Sequence, residues 1–151
     1  PSAAEHLHRP GTLTAMPPRK RDVEEIRALP EPRLDAEQRA QYRRGIALFN
    51  DGKYWHAHES WEAAWLPMGD GPEDDGEIFF RALIQLASGL HLKRCGRYAG
   101  ARSHFAKAAE KFAVMPAAYM GLDVLSLKIF ARYQLAHFGR NFTCLLRLRE
   151  G

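Results

Sequence analysis

Cysteine is scarce in this chain: Cys95 and Cys144 are the two it has in 151 residues. Two cysteines build neither a disulfide framework nor a thiolate zinc site, so a reduced, cytoplasmic setting is expected. Long apolar runs are missing too. No stretch approaches the roughly 20 apolar residues that a membrane-spanning helix needs. Residues 1–22 have no apolar core of the kind a secretory signal carries. There is no strand-like alternation and no hairpin signal between alternating runs. Nor is there a phosphate loop, a nucleophile elbow or a dinucleotide fingerprint. With strands excluded, helix-on-helix packing is the remaining source of a core.

Excess charge of one sign is modest, at a net +4. The basic surplus lies toward the ends, at Arg19, Lys20, Arg21 and at Arg140, Arg147, Arg149, with an acidic stretch over residues 70–77 between them. Nucleic-acid binding would ask for a basic stripe with interleaved aromatics. Solvated ends account for this pattern better, so a nucleic-acid partner is not expected, and neither is a membrane. What the chain does have is apolar bulk. Its 46% apolar content includes eight Phe, five Tyr, four Met and three Trp, enough for one well-filled domain and too little for two.

Residues 1–34 carry Pro10, Pro17, Pro18, Pro30 and Pro32 and few apolar residues in register. They read as a loose, Pro-rich N-terminal arm, with at most a short turn over residues 22–28. The helical domain is expected over residues 35–139, and residues 140–151 form a C-terminal tail. Asp35 with Gln38 three positions on is a capping-box pattern. It opens a first helix that carries Tyr42, Ile46 and Phe49 at helical spacing and stops at Asn50-Asp51-Gly52. A second helix is expected over residues 53–66, ended by Pro67. A third, residues 77–95, is apolar over most of its circumference and should be the buried one. A fourth covers residues 98–114 and a fifth residues 122–138. The fold class is therefore all-α, with about five helices.

An internal repeat sharpens this. Gly52-Lys53-Tyr54-x-x-Ala57-x-x-x-Trp61-x-x-Ala64 recurs 44 positions on as Gly96-Arg97-Tyr98-x-x-Ala101-x-x-x-Phe105-x-x-Ala108. Glycine allows a tight corner between two antiparallel helices, alanine lets backbones approach, and the bulky aromatic fills the gap between them. The pattern is of tetratricopeptide type, in which hairpins stack to complete one another's core.

The segment FNDGKYWHAHESWEAAW, Phe49 to Trp65, concentrates two histidines, two glutamates and three tryptophans. Together with Leu-Ile-Gln-x-Ala-x-x-Leu-His over residues 83–91 and Gly-x-x-x-Gly-Ala over 96–101, it resembles the domain of unknown function 309 family. The resemblance covers roughly residues 38–112. It implies small helical proteins with tetratricopeptide-like packing, sometimes labelled predicted metal-dependent hydrolases and without an established activity. The chain departs from the family at His56, where an acidic residue is more usual, and at Ala82, where glycine is.

The chemistry-bearing residues follow from helical geometry. Tyr54, Ala57, Trp61, Ala64 and Trp65 form the apolar stripe of the second helix. His58 and Glu62, four apart, stack on its shoulder, with Glu59 further round and His56 nearly outside. His91 shares an apolar face with Phe80, Ile84 and Ala87, and approaches His58 and Glu62 if the second and third helices are antiparallel. His104 and His137 have no partner nearby in sequence and read as ordinary. Two site readings stand side by side. In one, His58, Glu62 and His91 hold a divalent transition metal (zinc, iron or manganese) that activates water. In the other, a metal-free site uses Glu62 and Glu59 as the catalytic carboxylates, with His58 as partner. A third reading makes the His58–Glu62 pair a packing device. The functional expectation is an uncharacterised small protein with a His/Glu pocket, sharpest as a metal-dependent hydrolase acting on an unknown small molecule. The alternative is a non-catalytic module that binds a protein or peptide. Homo-oligomerisation through an uncapped end of the stack is compatible with either.

Overall fold

The computed structural model describes residues 18–65, 75–141 and 143–149. Six helices lie among them: α1 Val23–Arg27, α2 Ala36–Asn50, α3 Tyr54–Trp65, α4 Asp75–Arg94, α5 Tyr98–Phe112 and α6 Val124–Ala136. The capping box at the start of α2 is formed as expected. Asp35 Oδ1 accepts from Gln38 N at 2.8 Å and Gln38 Oε1 accepts from Asp35 N at 2.9 Å. The same device, Asp22 with Glu25, starts the short α1. Leu66 and Pro67, the expected end of the second helix, lie outside the described residues.

The helices pack in chain order, α2 on α3, α3 on α4, α4 on α5 and α5 on α6. The α2/α3 and α4/α5 hairpins turn through matching corners. Gly52 and Gly96 have φ of 77° and 78°, a left-handed cap that other residues adopt only with strain. The hydrogen bonds match as well. Lys53 N donates to Leu48 O and Gly52 N to Phe49 O; Arg97 N donates to Leu92 O and Gly96 N to Lys93 O. Ala57, Trp61 and Ala64 are fully buried, and so are Ala101, Phe105 and Ala108.

The repeat extends one helix further back than its sequence string. Gly45 and Gly89, again 44 positions apart, each receive the aromatic of the following helix. A Cβ on Gly45 would collide with the Trp61 indole, and one on Gly89 would come within 2.7 Å of the Phe105 ring. Trp61 Nε1 also donates to the Tyr42 carbonyl at 3.1 Å. Helix α4 is buried on nearly every side, as its composition predicts.

Two features depart from the expectations. Ala118–Tyr119 and Leu122–Asp123 pair as a two-residue antiparallel ladder around Met120-Gly121, although no strand is predicted. Such a ladder is too short to show alternation. Residues 18–34, expected within a loose arm, are tied to the helical body. Tyr119 Oη donates to Pro30 O at 2.6 Å, Met120 N donates to Glu31 Oε2 at 2.6 Å, and Arg21 pairs with Asp75 at 2.5 Å. At the other end, Leu146 is buried and bonded through both backbone groups to the Asn50 side chain.

Candidate functional site

Helix α3 presents Trp55, His58, Glu62 and Trp65 along one line, since positions three and four apart share a face. His58 is fully buried and Glu62 is 4% exposed. The imidazole is oriented by its own helix. His58 Nδ1 lies 3.0 Å from the Trp55 carbonyl and donates its proton there, which turns Nε2 toward Glu62 Oε2 at 3.6 Å. In the neutral ring Nε2 is then the basic nitrogen.

Helix α4 faces this line with a polar stripe of its own, Glu77, Arg81, Gln85 and Ser88, set into an otherwise apolar helix. Glu77, Gln85 and Ser88 are buried, and Arg81 Nη2 pairs with Glu77 Oε1 at 2.5 Å. Helix α5 adds His104 and Lys111. The guanidinium of Arg81 lies 5.5 Å over the Trp65 ring. His104 feels the charge of His58, and Lys111 that of Arg81. Polar groups thus run along α3, α4 and α5 as a seam, with Trp65, Arg81 and Lys111 adjoining at one level and His58, Glu62 and His104 at another.

Burial dominates the electrostatics of this seam. It raises the Glu62 carboxyl to about 7, with a smaller push from the Glu59 charge. It lowers His104 to about 4, helped by Lys107, His58 and Lys111, and lowers Lys111 to about 8, helped by Arg81. Near neutral pH the seam thus holds a carboxyl poised between its two forms and an uncharged histidine. Among the described residues, Glu62 Oε2, Gln85 Oε1, Ser88 Oγ and His104 Nδ1 are buried and make no hydrogen bond within the protein.

The expected ligand trio does not assemble. The Trp55 indole contacts both histidines, its ring centre 4.6 Å from that of His58 and 5.0 Å from that of His91. His91 lies with Cys95, Nε2 to Sγ 3.6 Å, at the partly exposed end of α4. Among the described residues no three His, Cys, Asp or Glu side chains are grouped to hold a metal ion. Periodicity along a helix could not show that the Trp55 ring lies against both histidines. Glu59 is on the solvent side, half exposed and paired with His56 Nδ1 at 3.2 Å. It reaches Glu62 through its charge alone.

His104, Gln85 and Ser88 are the residues that sequence reasoning left out of the site. Gln85 and Ser88 carried a usable signal, as two polar residues on a helix otherwise apolar all round. His104 had none beyond its place one position before Phe105 in the repeat.

No match is found among curated proteins. Residues 42–104 match the family model described as Domain of unknown function (DUF309), and the match runs from Tyr42 on α2 to His104 on α5. The seam from His58 through Ser88 to His104 falls within it, and over this segment the chain is similar to the DUF309 family.

Proposed function

We propose that the seam is a small-molecule site in which Glu62 moves a proton as general acid–base and His58 orients it and exchanges that proton. The observation that carries this reading is the set of four buried polar atoms, Glu62 Oε2, Gln85 Oε1, Ser88 Oγ and His104 Nδ1, without hydrogen-bond partners among the described residues. Leaving one such atom unmet costs about 1–3 kcal/mol, and packed interiors rarely tolerate several together. A bound polar molecule that enters the seam would supply partners to those it touches. A carboxyl held near neutrality is suited to general acid–base work at ordinary pH.

Hydrolysis is the most specific form of this proposal, with ionised Glu62 taking a proton from an attacking water. The metal-dependent form fits less well. His58 Nε2 and Glu62 Oε2 can face one ion, but a catalytic zinc site uses three protein ligands and the described residues offer no third.

The test is a set of ester and phosphoester reporter substrates with wild type and Glu62→Gln. Turnover should rise with pH through about 7 in wild type and be lost in the variant, whose fold is checked by circular dichroism. Metal analysis of the same preparations addresses the metal-dependent form. A stoichiometric transition metal, lost in His58→Ala, would restore it.

A second reading is favoured by the complete burial of His58 and by the matching hairpin corners. The protein would then be a tetratricopeptide-like interaction module, and the pair would set how the hairpins stack. Absence of turnover, with His58→Ala and Glu62→Ala both melting earlier than wild type, supports that reading over the first.

A further inference from the structure

A cleft of about 690 Å³ opens well away from the seam, where four separate stretches of chain converge. Residues 31–34 form one wall and the exposed side of α2 another. The Met120-Gly121 turn lies at its base, and residues 148 and 149 close the remaining side. Its volume falls within the range of about 300–1,000 Å³ typical of small-molecule sites.

Its lining is unusually basic. Arg33, Arg39, Arg43 and Arg149 all border it, while Glu31 is the single carboxylate among the lining residues. Glu31 is already engaged, since its Oε2 accepts from Met120 N at 2.6 Å. Arg39 and Arg43 are four apart on α2 and share a face, whereas Arg33 and Arg149 approach from different segments. Planar guanidinium groups converging from several directions match phosphate oxygens two at a time, which a scatter of surface lysines does not. Between the arginines lie Pro32, Leu34, Met120 and Leu148, an apolar floor that would accept an uncharged body.

The base of the cleft is firmly built. Tyr42 Oη donates to the Met120 carbonyl at 2.7 Å and Arg149 N to the Gly121 carbonyl at 2.8 Å. Met120 has a φ of 52°, the one non-glycine residue in the left-handed region among those described. Strain of this kind persists only where the surroundings over-determine it, and it gathers at ligand clamps.

We propose that this cleft binds a nucleotide-sized organic phosphate, its phosphates held by the arginines and its uncharged part laid on the apolar floor. The inference does not depend on the proton-transfer reading of the seam. Calorimetric titration of the full chain with ATP, inorganic pyrophosphate, citrate and a short single-stranded oligonucleotide tests it. ATP should bind more tightly than pyrophosphate, because only ATP uses the floor. Arg39→Ala and Arg149→Ala should each weaken ATP about tenfold, and raised salt should weaken it further. Arg39→Lys keeps the charge without the fork and should fall between wild type and Arg39→Ala. All four arginines are exposed, so these variants should melt with wild type. Absence of ATP binding at millimolar concentration, or binding untouched by both alanine variants, overturns the proposal. Preference for citrate, or for the oligonucleotide through the same arginines, overturns it as well.

Discussion

At the scale of single residues, Glu62 and His104 set up opposed responses to pH. Glu62 is raised in the folded protein from 4.5 to about 7. Its contribution is therefore fully present below pH 4.5 and is lost as pH rises toward 7. His104 is lowered from 6.5 to about 4, so its contribution is present above pH 6.5 and is lost as pH falls toward 4. Each is worth on the order of 3 kcal/mol before solvent screening. Between these limits the two slopes offset, and wild-type stability in urea should vary little. Glu62→Gln removes one slope, so its stability should climb as pH is raised from 4 to 6.5. His104→Gln removes the other, so its stability should fall as pH is raised from 4.5 to 7. A steep wild-type profile that neither substitution alters would contradict this assignment.

At the scale of helices, the 44-residue repeat is a statement about pairs of helices, and its energetics can be tested pair by pair. Gly45→Ala drives a methyl into the Trp61 indole and should cost about 3 kcal/mol by urea titration. Trimming the aromatic in the same molecule, as Trp61→Leu, should recover part of the loss, which would show that the two positions act as one contact. At the corner, Gly52→Ala should cost about 1 kcal/mol, because its φ of 77° is unfavourable for a side chain. Most of this level was legible in the sequence. The capping box at Asp35, the glycine corners, the aromatic at 61 and 105 and the small residues beside it all act through neighbours within one turn or one hairpin. The Gly45 and Gly89 partnership was not, because spacing along one helix does not tell which residue of its neighbour meets the aromatic. The same limit applies to His58, Glu62 and His91, which are not grouped as metal ligands among the described residues. Helical phase gives the direction of a side chain, but not what lies against it, which here is Trp55. The ladder at residues 118–123 escaped because two residues per strand have no period.

At the scale of the molecule, segments outside the hairpins decide how the stack is held. Residues 22–34 are joined to the 118–123 ladder, and residues 146–149 to α2 and to that same ladder. No helix among the described residues is long and apolar enough to cross a membrane. The outer face of α6 leaves Leu125, Ile129 and Tyr133 about half exposed, one turn apart. Asn50 holds the tail through two bonds, Nδ2 to Leu146 O at 2.8 Å and Leu146 N to Oδ1 at 2.7 Å. Asn50→Ala should cost about 2 kcal/mol and remove amide protection at Leu146 in hydrogen exchange.

That amide clasp has a kinetic corollary. An open array of hairpins frays from whichever end is weaker and loses its units one after another. Here the terminal stretch is laced back onto the first hairpin, so neither extremity can peel away without disturbing the other. Heat or urea should take the chain apart in a single concerted event, and severing the clasp should split that event into a staircase.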